Sequence, residues 1–284
     1  MTNCKVLDYP RRIVIELTPQ CNLSCSMCPR HYVAKDGYMS KALWQRLIND
    51  IVKTEPNAVV MPFWRGESLL HPDFLGLIDY ALNKSVKIHI STNGILVTGK
   101  YIDLLARCEF VTFSIHTRIG YKNAKKFLSL KKKEKPVVQV SFVKGEESEK
   151  ILRTIINTDN LCGFDNVRLY EEHTKEGIFG NSGSTLEVSR IFCPKLISTL
   201  VIAYDGSVSR CNHIWETEKE MNLHDMSIQG AWDSVRLKEI RVNYPDSYCE
   251  PCDQWTGHTC GESWRLVNNE IEHKIFGEMK KGEN

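Results

Sequence analysis

The sequence predicts an α/β fold: a partial barrel of six βα units, (β/α)6, followed by a small cysteine-bearing subdomain. Three observations predict it. From residue 12 to about 170, short apolar, β-branched runs alternate with longer amphipathic ones, the pattern of a parallel sheet wrapped by helices. After a Gly/Ser-rich stretch at 175–185 that alternation stops, and Asp205-Gly206 between alternating apolar positions signals a hairpin. Finally, cysteines gather at two places, one early in the barrel and one around that hairpin. The expected division is a barrel over 1–180 and the subdomain over 181–284.

The strands expected in order are RIVIEL (12–17), AVVMPFW (58–64), VKIHIS (86–91), EFVTFSI (109–115), VVQVSFV (137–143) and NVRLY (166–170). Between them lie helical runs. The first, SKALWQRLINDIVK, opens on Ser40 as N-cap and puts Leu43, Leu47, Ile48 and Ile51 on one face. HPDFLGLIDYALNK, KYIDLLARC, GYKNAKKFLSLKKK and EESEKILRTIIN have the same amphipathic spacing. Six such units need right-handed crossovers and curve into an open barrel two units short of a full eight. Beyond the linker, the hairpin TLVIAYDGSVSRC leads to one expected helix, MSIQGAWDSVRLKEIRVN, and then to CEPC at 249–252. These pieces read as a metal-bound subdomain and not as further barrel.

Composition narrows the partners. The chain has 284 residues, 42% hydrophobic and 25% charged, with a net charge of +2, so no strong field points to nucleic acid or to a membrane surface. The N-terminus carries no apolar signal segment, and no apolar run reaches the ~18 residues of a membrane span. A reducing cytoplasm is the expected location, and there 11 cysteines argue for metal or redox chemistry over disulfides.

Cys21, Cys25 and Cys28 follow the first strand directly, in the loop that opens at the C-terminal mouth of the barrel. A structural zinc site would need a fourth ligand close by, and His31 gives an unusual zinc spacing. Three thiolates in one short loop ending in Cys-Pro suit an iron–sulfur cluster that keeps one iron open. The second set is Cys193, then Gly206 and Cys211 as C-x12-G-x4-C, then Cys249 and Cys252. Taken alone, two pairs brought together by a hairpin favour a tetrahedral zinc ribbon, and a zinc-binding, non-catalytic protein is the corresponding alternative. Of the other thiols, Cys108 and Cys162 read as small buried hydrophobes, and Cys4 has no assigned role. Cys260, in GHTCGESW, suits a cluster ligand, a hydrogen-atom donor or a structural thiol.

The CxxxCxxC loop after the first strand of a partial barrel resembles the radical S-adenosylmethionine (SAM) superfamily. WRGESLLHP (64–72) after the second strand is similar to that family's GGEP motif at Gly66 and Glu67, with Arg65 and Ser68 departing from it. STNG (91–94) after the third strand is similar to its STNG segment, including Ser91 and Asn93, and Ser114 stands where a serine often contacts the ribose or methionyl part. Met27 occupies the place of an aromatic residue that packs by the adenine.

The resemblance implies a 4Fe–4S cluster on Cys21, Cys25 and Cys28 whose open iron binds S-adenosyl-L-methionine. It implies reductive cleavage to a 5′-deoxyadenosyl radical, with electrons from a flavodoxin or ferredoxin-type donor. The second cysteine set resembles the SPASM and shorter twitch extensions, which implies one auxiliary 4Fe–4S cluster on Cys193, Cys211, Cys249 and Cys252. Within that branch the chain is similar to aminoglycoside- and sugar-modifying enzymes, among them a 2-deoxy-scyllo-inosamine dehydrogenase of butirosin biosynthesis.

A small polyol, aminocyclitol or sugar is the substrate expected from chain length, and dehydrogenation or deoxygenation is the reaction expected of a closed auxiliary cluster acting as electron relay. Epimerisation with a cysteine hydrogen donor and peptide modification are the alternatives. At the barrel mouth His116, Arg168 and Tyr170, with Cys260, are the candidate catalytic groups. Arg168 and Tyr170 share a strand face, and a purely structural role for Arg168 would pair it with a carboxylate such as Glu16.

Overall fold

The structure, a computed structural model, describes residues 6–28, 30, 36–131, 135–145, 147–157, 163–170, 172, 192–252, 260–267 and 270–275. Its backbone is one mixed sheet of 11 strands in the order β11-β10-β6-β5-β4-β3-β2-β1-β7-β8-β9. The six strands expected from the alternation form its parallel centre: β1 Arg12–Ile15, β2 Val59–Met61, β3 Lys87–Thr92, β4 Phe110–Ser114, β5 Val137–Val143 and β6 Asn166–Tyr170. Each pairs in parallel with the next in sequence. This is the partial barrel.

The intervening helices are α1 Lys41–Thr54, α2 Phe74–Asn83, α3 Gly99–Leu105, α4 Arg118–Leu130 and α5 Glu147–Asn157. Ser40 does cap α1, accepting from the Leu43 N–H, and the expected face is buried together with Trp44. The Trp44 indole donates to the Leu77 carbonyl at 2.7 Å, tying α1 to α2. On β4, Val111 and Phe113 are buried and Phe113 packs on Phe127 of α4. Thr112 and Ser114 therefore face the barrel interior.

The structure differs from the sequence reading at three places. First, the hairpin around Asp205-Gly206, β7 Thr199–Ile202 and β8 Ser207–Ser209, is not separate from the barrel sheet. Strand β7 pairs in parallel with β1 over all four residues, because its TLVI run is apolar on both faces and Leu200, Val201 and Ile202 are fully buried. Gly206 has φ 83°, which meets the turn's need for a left-handed residue. Strand β9 Glu218–Asn222 completes this side.

Second, the helix expected over 226–243 is two, α7 Ile228–Trp232 and α8 Val235–Val242, following a one-turn α6 at Pro194–Ser198. Asp233 ends α7, and Ser234 caps α8 by accepting from the Leu237 N–H at 3.3 Å; short polar side chains favour caps over helix interiors. Third, Cys260–Val267 forms strand β10, paired antiparallel with β6 and with β11 Glu270–Ile275. The glycines of GHTCGESW suggest a loop, but the strand extends from Cys260 through CGESWRLV. The boundary at 180/181 lies outside the described residues.

Strands β1 and β2 and the β7–β8 turn are joined through one buried ion pair. Glu16 is wholly buried, and its carboxylate receives Arg65 Nε at 2.8 Å and Nη2 at 2.6 Å. It also accepts the backbone N–H groups of Arg65 at 3.2 Å and Tyr204 at 3.4 Å. A purely structural role for Arg168 would pair it with a carboxylate such as Glu16; in the structure Glu16 is held instead by the bidentate fork of Arg65, in the loop after β2.

Removing one member of such a pair leaves a buried charge and costs about 3–5 kcal/mol, whereas replacing both can be nearly neutral. Arg65→Met is therefore expected to lower the apoprotein's unfolding free energy by that amount in guanidinium titration. Adding Glu16→Gln should restore most of it, and a double variant no more stable than Arg65→Met would contradict this assignment.

Candidate active site and auxiliary cluster site

The loops after β1, β2, β3 and β4 open at the C-terminal ends of the parallel strands, the end that carries chemistry in barrels of this kind. Their sequences knit them together. The Thr18 hydroxyl donates to the Gly37 carbonyl at 2.7 Å, and the Glu67 N–H donates to the Gln20 carbonyl at 2.7 Å. Gly66 is a steric requirement: a Cβ there would lie 2.3 Å from the Thr18 oxygen and 2.5 Å from the Gln20 oxygen. Only glycine lets the second loop lie this close beneath the first.

Glu67 continues the chain of contacts. It is 3% exposed, and its carboxylate accepts from the N–H of Leu69 at 3.3 Å and of Asn93 at 2.7 Å. Burial pushes its pKa up, opposed by hydrogen bonds from Asn93, Thr92 and Leu69. Asn93 then returns to the cysteine loop, its side-chain amide donating to Asn22 Oδ1 at 2.7 Å and reaching Cys21 Sγ at 4.0 Å. A closed circuit thus runs through the three sequence motifs. Glu67, to which the resemblance gives the cofactor's amino group, is seen here as the tie between loops.

Cys21, Cys25 and Cys28 are half-buried on this loop, and the Cys28 N–H turns back to the Cys25 carbonyl at 3.1 Å. Burial raises the Cys21 thiol, helped by nearby Glu67 and opposed by the Leu23 N–H and Arg30. Arg30 is held beside the loop by a hydrogen bond to the Leu23 carbonyl at 3.3 Å. Met27 is half-buried between the second and third cysteines. Three thiols on an irregular loop over a cradle with no space for a side chain fit a cluster with one open iron.

The interior of the β3–β6 half is polar. Ser91, Thr112, Ser114, Gln139, Ser141, Arg168 and Tyr170 occupy it, and β5 places its Gln139 and Ser141 there at 5% and 4% exposure. Ser114 Oγ and His116 Nε2 are 3.1 Å apart at the mouth. The Gln139 amide donates to the Thr112 hydroxyl at 3.4 Å and to the Tyr170 hydroxyl at 3.5 Å. Backbone register sets Cys260 opposite Tyr170, so β10 begins at the mouth. Glu171, His173, Cys4, Cys162 and His31 lie outside the described residues.

The second cysteine set meets at one cavity. Cys193 precedes α6, Cys211 follows β8, and Cys249 and Cys252 share a turn in which the Cys252 N–H donates to the Cys249 carbonyl at 3.1 Å. All four line the cavity, with Lys195, Arg210, His213, Tyr244 and Tyr248 in the same wall. Four thiols spread around a shared cavity suit a polynuclear cluster with every iron capped by protein.

Two cations flank those thiols, and the sequence reading named neither. Burial lowers the Lys195 pKa, while the thiols of Cys211, Cys193 and Cys252 oppose that. Its ammonium is in hydrogen-bond contact with the His213 ring. Arg210, 5% exposed, pairs with Asp246 and lies 5.1 Å over the Tyr248 ring. Burial works against the Asp246 carboxylate, but Arg210 and the Cys249 N–H hold its pKa below the usual range. Burial, with Asp246 alongside, pushes the Cys249 thiol up to about 12. Loading metal must therefore displace protons from such thiols. Cys108, by contrast, is 1% exposed in the apolar core, as expected for a structural thiol.

The two sites are linked. The Trp64 indole donates to the Asn212 carbonyl at 2.9 Å, and Arg65 Nη1 donates to the Trp215 carbonyl at 3.1 Å. Both acceptors lie just after Cys211. The departure from the family motif at Arg65 thus has a structural use, legible in the sequence only as a bulky basic residue where a glycine was expected.

Residues 15–142 match the Radical SAM superfamily, and residues 193–254 match SPASM, an iron–sulfur cluster-binding domain. The mycofactocin maturase MftC of Mycobacterium tuberculosis is 31% identical over 110 residues, which is 38% of this chain and 28% of that protein. The chain spans less than a third of the length of the first curated relatives it matches. Among solved structures, BtrN in complex with AdoMet and 2-DOIA superposes with a TM-score of 0.58 at 16% identity, covering 82% of this chain and 85% of BtrN. Streptococcus suis SuiB bound to its precursor peptide SuiA gives 0.64 at 14% identity, covering 90% and 70%. At such identities these two likenesses concern the fold alone. The three-cysteine loop, its motif circuit and the four-cysteine cavity coincide with the matched regions, and the chain carries a radical SAM domain over residues 15–142 and an SPASM, iron–sulfur cluster-binding domain over residues 193–254.

Proposed function

We propose that this protein removes hydrogen from a small polyol, aminocyclitol or sugar, and that the outcome is dehydrogenation or deoxygenation with the auxiliary cluster as electron relay. The observation that carries the reading is the contrast between the two cysteine sets: three thiols at the barrel mouth and four around one cavity. When bound, the clusters and S-adenosylmethionine supply a 5′-deoxyadenosyl radical and a carrier for the electron that enters or leaves the substrate. The protein's own groups then decide which C–H bond is presented.

The polar half of the barrel interior suits a hydroxyl-rich substrate. Ser141, Thr112, Gln139 and Tyr170 offer donors and acceptors on adjacent strands, spaced by the sheet and not by flexible loops. His116 and Tyr170 are the groups proposed to take the substrate's hydroxyl proton. The Ser114 hydroxyl fixes the His116 ring, and the Gln139 amide fixes the Tyr170 phenol. Cys260, at the start of β10, is the group an epimerase would use to return a hydrogen atom. A flavodoxin or ferredoxin-type protein is the proposed electron source. The peptide alternative leans on the likeness to SuiB, which extends to fold alone.

Replacing Cys21, Cys25 or Cys28 by Ala should abolish 5′-deoxyadenosine formation in anaerobically reconstituted protein, leaving about four irons per chain on the auxiliary site. Zinc in place of iron in the wild type, or continued 5′-deoxyadenosine formation by the variants, would overturn the reading.

A further inference from the structure

The barrel interior contains a cation that no described residue neutralises. Arg168 lies on the interior face of β6, since its neighbours Val167 and Leu169 are buried on the other side at 2% and 1% exposure. Among the described residues it has no hydrogen-bond or ion-pair partner, and its Nε is a buried donor left unsatisfied. Glu16, the acid that a structural role would have paired with it, is committed to both arms of Arg65.

A guanidinium partly withdrawn from water with a covered, unmatched N–H is costly in the free protein, and that cost is relieved when an acceptor arrives. The arginine fork matches the paired oxygens of a carboxylate or a phosphate. Register places Ser114, Ser141 and Arg168 in one row across β4, β5 and β6. Gln139 and Tyr170 lie on the same interior face. The row runs from the serine beside His116 at the mouth to the unpaired cation, with hydroxyls and an amide between.

We propose that Arg168 is a substrate-anion receptor, and that the substrate is a small polyhydroxylated compound bearing a carboxylate or a phosphate. This rests on the reading above and narrows it. An aminocyclitol would bring an ammonium toward an uncompensated guanidinium, a like-charge approach that a low-dielectric interior penalises. A sugar acid or a sugar phosphate brings the missing counter-charge. Its hydroxyls meet Ser141, Gln139 and Tyr170, and its anion is held at the far end of the row, away from His116.

Arginine-directed labelling of the reconstituted wild-type protein tests this. Phenylglyoxal modification is followed residue by residue by mass spectrometry, alone and with inorganic phosphate, gluconate or myo-inositol. Arg107, an exposed arginine paired with Asp79 at 2.6 Å, is the internal reference. The expected result is that phosphate or gluconate slows labelling of Arg168 severalfold, with Arg107 unchanged and myo-inositol without effect; which anion protects separates a sugar phosphate from a sugar acid. Equal protection by myo-inositol, equal slowing at Arg107, no protection by either anion, or an Arg168 inert to the reagent would each overturn the proposal. Formation of 5′-deoxyadenosine in the same preparation reports on the underlying reading. If it persists while anion protection is missing, only the receptor falls; if it is absent, both do.

Discussion

The buried pair of Glu16 and Arg65 is the constraint on which the rest of the architecture depends. Two charges brought out of water gain nothing unless their geometry is tight and their remaining valences are filled. Here they are filled from several directions. Glu16 collects backbone N–H groups from the loop after β2 and from Tyr204 in the turn after β7, while Arg65 gives its third donor to the Trp215 carbonyl and stacks at 4.2 Å on Trp64. The parallel strand β7 beside β1, the second motif loop beneath the cysteines and the segment after Cys211 are thereby referred to one point. That ties the barrel mouth and the auxiliary site into one hydrogen-bonded arrangement.

Around that point the protein treats its two thiol sets differently. The mouth loop is half-buried, braced by Gly66, Glu67 and Asn93, with Arg30 as the nearby cation. The second set faces a cavity with Lys195 and Arg210 in its wall, the latter shared with Asp246. Positive charge beside a cluster stabilises its reduced form, because cluster potentials follow local charge, hydrogen bonding to sulfur and exposure. The polar interior of the β3–β6 half, where Arg168 has a buried Nε with no partner among the described residues, is the space in which we propose that substrate binds.

Much of this was legible in the sequence, for identifiable reasons. The six barrel strands follow from apolar runs that a parallel sheet buries on both faces, and the Ser40 cap and the left-handed Gly206 from local backbone chemistry. The cysteine sets were legible because spacing and position after a strand are one-dimensional properties. What was hidden is what depends on the third dimension. TLVI reads as a hairpin arm whether or not it also pairs with β1. Glu16 has several arginines to choose from until the chain is folded. Asp233-Ser234 breaks a helix that periodicity alone would continue, and the β10–β11 hairpin was masked by the glycine and cysteine at its start. Lys195 and Arg210 are ordinary basic residues until the cavity forms around them.

The central claim is that the first set leaves one iron open and the second leaves none. Mössbauer spectroscopy of protein reconstituted with 57Fe, before and after S-adenosylmethionine, tests it most directly. The account predicts that one iron site of one cluster changes its isomer shift and quadrupole splitting on addition of S-adenosylmethionine, and that the other cluster's spectrum is untouched. A spectrum unchanged by S-adenosylmethionine, or one in which both clusters respond with a distinct iron site, would contradict it.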